Sequence, residues 1–178
     1  MKHVLLLTLA LSSGLLNAQA PANWQSAERA KILNGISSIP KLGAPGPVAI
    51  WGNLAFPVVA AADGGKAELA LAAAAGYGKG RALIFGHNSY LDGGGTAGAL
   101  LVNAVNWVAN KEKAKVGVKN DNLAAFLNGK GLKAEKFDGA LDAKKLKDFD
   151  VVIVNAQGVT DDEVGAAIVE FIKNGGGF

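Results

Sequence analysis

Between Lys115 and Lys173 the sequence alternates short apolar runs with amphipathic ones, and this alternation constrains the fold more than any other feature. Lys115–Val118 reads as a strand, Asn120–Asn128 as a helix anchored by Leu123, Phe126 and Leu127, and Lys133–Phe137 as a second strand. Gly129 and Gly131 stop the first of these helices. Asp142–Lys147 is a short helix, and Val151–Val154 is a continuous apolar strand of the kind buried on both faces. A capping box, Thr160 to Glu163, then opens a helix with Val164, Ala167, Ile168, Phe171 and Ile172 on one face and Gly175 past its end. Strands and helices of this length, taken in turn, imply right-handed crossovers and a mainly parallel sheet with flanking helices. Gly175–Phe178 reads as the entry to another strand, so the 115–178 segment is expected to be a βαβαβα unit incomplete at its C-terminus.

The preceding segment, 48–110, follows a different rule. Val48–Trp51 reads as a strand, Gly52–Pro57 as a turn leading into Val58–Ala60, and Asp63–Gly65 as a hairpin turn. Alanine favours a helix over Glu68–Ala75, but the flanking glycine turns leave room only for a strand. That strand is expected to pair with Arg81–Phe85 across the Gly76–Gly80 turn. Gly86–Tyr90 leaves the strand end as a polar loop, and Asp92–Thr96 leads into a helix carrying Ala97, Leu100, Leu101, Ala104, Val105 and Val108 on one face. Upstream, an amphipathic helix is expected from Asn23 to Ile39, with Trp24, Ala27, Ile32 and Ile36 as anchors and Ser26 as its cap. Pro40 ends it, and a Gly/Pro linker runs to Pro47.

Residues 1–20 have the form of a secretory signal peptide: Lys2 and His3, a mostly apolar run from Val4 to Leu16, then Ala18–Ala20 before Pro21. The expectation is export, with cleavage after Ala20, to the periplasm or the medium, and no membrane span thereafter. Cysteine is absent, which removes disulfides, thiolate nucleophiles and Cys-held metals. Charges of both signs are interspersed, so nucleic acid is disfavoured as a partner.

Several stretches carry a family resemblance. Tyr77–Arg81, Gly86–Leu91 and Leu101–Trp107 resemble the TRP-channel-associated factor (TCAF) family and its bacterial secreted relatives. Asn34–Ser38, Gly52–Pro57, Phe149–Asn155 and Phe171–Gly177 extend the match in the same order. The resemblance implies a flavodoxin-like, class I glutamine amidotransferase-like α/β domain that precedes an enhancin-type, mucin-directed zinc metallopeptidase domain. It does not imply amidotransferase chemistry, since the chain has no cysteine for that nucleophile. Nor can the His-Glu-x-x-His metal motif lie here, because after signal cleavage His87 is the one histidine left.

Loops at the carboxyl ends of sheet strands are where open α/β domains place ligands. Two such loops supply the candidate ligand-binding residues: His87, Asn88 and Ser89 after one strand, Asn155 and Gln157 after another. His87 either orients a ligand carboxylate or hydroxyl, or acts as a base near neutral pH, or is a loop histidine bonded to backbone that fixes the turn. Ser89 lacks the nucleophile elbow of a serine hydrolase. Asn155 and Gln157 offer amides to a sugar or peptide. Trp51 and Trp107 are expected in or near the core and Trp24 nearer the surface, an exposed tryptophan being the stronger sign of carbohydrate binding. No catalytic, cofactor or metal residue is assigned. The expected function is an accessory module that binds a glycan or protein partner and holds a downstream domain. Two other readings are the front part of a secreted zinc metallopeptidase and a channel-regulating partner.

Overall fold

The computed structural model describes residues 23–63, 67–155, 158–159 and 161–178. The segment 1–20, Gln157 and Thr160 lie outside these residues, as does the expected turn at Gly64 and Gly65. Strands β1 (Ala55–Asp63), β2 (Ala67–Tyr77) and β3 (Gly80–Phe85) form an antiparallel meander. Tyr77 pairs with Gly80 across the Gly78 turn, and Ala72 pairs with Phe85 at the far end. The alanine run is thus a strand, as its flanking turns require and against its helical propensity.

Strands β4 (Lys115–Val118), β5 (Lys133–Lys136) and β6 (Val151–Ile153) form a parallel sheet in the order β5-β4-β6. Gly177 makes parallel bridges to both Arg81 and Val151. The C-terminal residues therefore lie between β3 and β6 and join the two halves into one mixed sheet. The hydrogen bonds are regular: the Phe178 N–H donates to the Arg81 carbonyl, and the Leu83 N–H donates to the Phe178 carbonyl at 2.8 Å. On the other side the Gly177 N–H donates to Asp150, and the Val152 N–H to Gly177.

Helices cover both faces. Helices α1 (Trp24–Ile32), α2 (Gly95–Ala109) and α3 (Asp121–Gly129) pack over one, around Ile32, Phe56, Leu100, Leu101, Leu127 and Val116. Helices α4 (Ala143–Leu146) and α5 (Asp162–Lys173) cover the other, around Leu146, Phe149, Val152, Ile168 and Ile172. Val151 and Val152, consecutive and both fully buried, face opposite layers, which is why that run carries no polar alternation. The Asn120 side chain caps α3 by accepting from the Asn122 and Leu123 N–H groups, and Asn128 pins the end of α3 to β5 by exchanging two bonds with Ala134.

Some expected features differ. The first helix stops at Ile32 rather than Ile39, with Gly35 at φ 72° turning the chain away so that Ile36 packs from a loop. Its cap is Asn23, not Ser26, and Ala27 is exposed. Val48–Trp51 is not a strand; this part of the chain makes single bonds, Gly46 N–H to Gly86 and Val48 N–H to Ala70. Asp161 caps α5, its carboxylate accepting from the Val164 N–H at 2.9 Å. Trp51 is 84% exposed, while Trp24 is half-buried edge-on to Phe56.

Two carboxylates fasten the end of the sheet where β3 and β4 begin. Burial alone raises the Glu28 pKa, but bonds from Lys31 and Trp107 and the nearby Arg81 charge outweigh it and hold the group below its ordinary 4.5. Asp150 is likewise held below 3.8, with burial opposing and Lys111 and the Lys115 N–H prevailing. A carboxyl whose pKa is lower folded than unfolded stabilises fully above the unfolded value, and that stability is lost as pH falls through the folded one. The denaturation free energy is therefore expected to hold from neutrality to about pH 5 and to fall below 4.5. Glu28→Gln should be less stable at pH 7 and show a shallower acid limb in urea titrations.

Candidate functional site

The loops singled out from sequence do converge. At the carboxyl end of β3 and β6, His87, Asn88 and Asn155 line one cleft of ≈ 620 Å³. Its walls are the Leu83–Phe85 and Val151–Val154 backbones, and its floor is Leu101, Ala104, Val105 and Val108 of α2. Apolar lining dominates, with amides only at the rim. Asn88 and Asn155 are exposed there.

His87 is held from two sides. It caps the short 3-10 turn Asn88–Leu91, its Nδ1 accepting from the Ser89 N–H at 3.1 Å. That bond assigns the ring proton of the neutral imidazole to Nε2. The ring also lies flat against the linker: a Cβ on Gly43 would come within 2.3 Å of Cε1 and 2.6 Å of Nε2. Ser89 contributes its backbone N–H to this arrangement. Tyr90 is buried, stacks on Phe85 at 5.7 Å and donates from its hydroxyl to the Pro40 carbonyl. The Gly86–Leu91 motif thus ties down the 40–47 linker, through contacts that no local sequence pattern reveals. Gly43 (φ 62°) has no room for a side chain beside His87. Gly43→Ala should cost about 1–3 kcal/mol. In a His87→Ala background it should cost clearly less, and a thermal-melt double-mutant cycle would read the coupling.

A second, polar cleft lies at the opposite end of the sheet, bordered by Arg81, Asn103, Asn106, Trp107, Lys111 and Lys133. Asn103 is used structurally, donating to the carbonyls of Ile32 and Asn34. Among the described residues no group of three His, Asp or Glu side chains is placed to hold a metal ion.

The sheet order, the loop motif and its tie to the linker can be set against known proteins. The family model described as the TRPM8 N-terminal domain (TCAF_N) matches residues 10–178. The chain belongs to the TCAF N-terminal domain family. TRPM8 channel-associated factor 2 of Bos taurus is 31% identical over 150 residues, which is 82% of this chain and 15% of that protein. The Homo sapiens factor 2 is 31% identical over 151 residues, with the same coverage. Among solved structures, IMPa from Pseudomonas aeruginosa in complex with an O-glycopeptide superposes with a TM-score of 0.58 at 20% identity. That likeness covers 85% of this chain and 19% of IMPa. The IMPa metallopeptidase in complex with T-antigen gives the same score at 19% identity. At such identities the likeness shows a shared fold. The TCAF-like chain spans about 15% of the length of the curated relatives.

Proposed function

We propose that this TCAF-like domain is an exported, non-catalytic module that presents a surface to a glycosylated or protein partner and carries the remainder of a longer protein. One observation carries the reading: the loop placed for chemistry is spent on scaffolding. The His87 Nδ1 lone pair is committed to the Ser89 N–H, and its ring is pressed against Gly43. A general base needs a free lone pair within reach of the proton it takes. Recognition falls instead to an exposed aromatic turn. Trp51 stands 84% exposed and Leu54 44% exposed ahead of β1, and the Leu54 carbonyl accepts from the Gly76 N–H beside half-exposed Tyr77. An indole in water offers a sugar both an apolar face and an N–H donor.

The probe is an O-glycopeptide bearing the T-antigen disaccharide, titrated into the purified domain while tryptophan emission is followed. Trp51→Ala should weaken binding at least about tenfold, as truncating an aromatic anchor does, without moving the melting temperature. Equal binding by Trp51→Ala, or none by the parent, would sink the glycan reading. A second reading, the front part of a secreted zinc metallopeptidase, draws on the IMPa-like fold. It requires a His-Glu-x-x-His motif in the coding sequence beyond Phe178. The names of the 31%-identical relatives favour a third, a channel partner, to be tested by co-purification with a TRPM8-type channel.

A further inference from the structure

The polar cleft where β3, β4 and β5 begin, ≈ 840 Å³ in volume, holds hydrogen-bond donors that the fold leaves unspent. Arg81 is the clearest case. Its guanidinium is fixed by the Trp107 ring, 4.9 Å from the centroid, and by the bond from Nη1 to the Trp107 carbonyl. Nη2 lies 3.8 Å from Glu28, beyond hydrogen-bond reach, so among the described residues Nε and Nη2 donate to nothing. The side chain is 26% exposed and borders the cleft, so these donors stay open to solvent there. Helix α2 adds amides. Asn106 and Asn110 are exposed at the rim, and among the described residues their side chains make no hydrogen bond. Asn103, one turn earlier, is by contrast spent on the Ile32 and Asn34 carbonyls. The loop after α2 brings Lys113 to the same rim at φ 54°, a conformation that favours glycine and that functional sites hold at a cost. Five basic residues border the cleft against the carboxylates of Glu112 and, behind the Lys31 and Lys111 ion pairs, Glu28 and Asp150. The field in the cleft is therefore net positive.

We infer that this cleft binds a sugar carrying a carboxylate, with Arg81 taking the carboxylate and Asn106 and Asn110 the ring hydroxyls. A guanidinium offers two parallel N–H groups that match the two oxygens of a carboxylate. This one is already immobilised by Trp107, so little side-chain freedom is lost when a ligand docks. Glu28 does not compete for it. That carboxylate is served by the Trp107 indole N–H at 2.7 Å and by Lys31 at 2.5 Å. Each amide both donates and accepts, as a sugar hydroxyl does, which suits the α2 rim to a polyhydroxylated ring. A single negative charge fits better than a phosphate dianion, because the negative end of the α2 dipole and Glu112 lie at the same rim. The volume is that of a small-molecule site. Trp51 does not border this cleft, so the inference stands apart from the aromatic turn and from the glycan reading built on it.

The probe is methyl glucuronide, titrated into the chain while the Arg81 Nε–H and the Asn106 and Asn110 side-chain amide signals are followed by heteronuclear NMR. Half-saturation is expected near about 1 mM. Methyl glucoside, the same ring without the charge, should bind at least about tenfold more weakly. Arg81→Lys keeps the charge but loses the fork, and should weaken glucuronide binding by about the same factor. Asn106→Ala should weaken it about threefold, the loss of one neutral hydrogen bond. Because Asn106 is exposed and unbonded, that variant should melt with the parent, which separates recognition from folding. Equal binding of glucoside and glucuronide, or a half-saturation above about 20 mM, would overturn the inference. So would sodium acetate acting as well as the glucuronide, which would leave a bare anion site. Tighter binding of methyl glucoside carrying a sulfate ester would overturn it too, by putting that ester in place of the carboxylate. Glycopeptide binding through Trp51 is read in a separate titration, so either result can fail without the other.

Discussion

Trp107→Ala should destabilise the domain by about 3–5 kcal/mol in chemical denaturation, the range for emptying a buried aromatic site. Trp107 is 6% exposed and sits where three elements meet. Its ring is edge-on to Phe56 at 5.8 Å, and Phe56 is in turn edge-on to Trp24, so α2, β1 and α1 share one aromatic column. The Arg81 guanidinium lies 4.9 Å from the ring centroid and donates to the Trp107 carbonyl at 2.9 Å, adding β3. The indole N–H donates to Glu28 at 2.7 Å. Truncation therefore opens a cavity and also removes a partner from a half-buried carboxylate. Trp107→Phe separates these effects. It keeps the edge-on contact and should cost about 1–3 kcal/mol, chiefly the lost donor to Glu28. In a Glu28→Gln background that smaller cost should shrink, because a neutral amide needs the donor less. A loss below about 1 kcal/mol for the alanine variant would mean that the column does not hold these elements together.

The same column shows how far the sequence could be read. Trp107 follows from helical spacing on α2, and the pairing of β2 with β3 across the Gly76–Gly80 turn follows from glycine placement. Local signals sufficed for the β2–β3 pairing and for α2, but carried the first helix past Ile32, where it ends. They failed at Val48–Trp51, whose apolar, β-branched character matches a strand. There Gly46 bonds to Gly86 and Val48 to Ala70, beyond the Ala72–Tyr77 stretch that pairs with β3, and these isolated bonds do not extend into a ladder. Trp51 consequently lies in water, the reverse of what its neighbours in sequence imply. The candidate site was legible in part for the same reason. The convergence of His87 and Asn155 follows from the rule that α/β loops gather at strand carboxyl ends. The contact between His87 and Gly43 depends on a linker folding back over the sheet, and no periodicity encodes that. Glycine-rich residues 175–177 announce a strand entrance. Their position between β3 and β6 is a long-range pairing that becomes visible only in the assembled sheet.

That pairing makes Gly80 the position where the smallest addition should do most harm. Gly80 is buried, and its backbone is not in the left-handed region, so alanine itself would adopt the conformation without strain. The obstacle is space: a Cβ would lie 2.1 Å from the Ile172 carbonyl oxygen and 2.3 Å from that of Gly176. Both are backbone atoms and cannot swing aside as a side-chain tip can. They belong to the turn that delivers Gly177 to its bridge with Arg81, held by the Lys79 N–H to Lys173 and the Arg81 N–H to Gly176. Relieving the clash pushes that turn off β3 and weakens the seam between the antiparallel and parallel halves. Gly80→Ala should cost about 3 kcal/mol, the upper end for overpacking. It should also broaden the urea transition, because two halves with a weakened seam no longer unfold as one. Gly76→Ala is the internal control: it lies on β2 near the same turn, and a Cβ there meets nothing within 4 Å. That substitution should stay within about 0.5 kcal/mol of the parent. Should the two alanine variants melt together, the C-terminal turn is not what joins the halves.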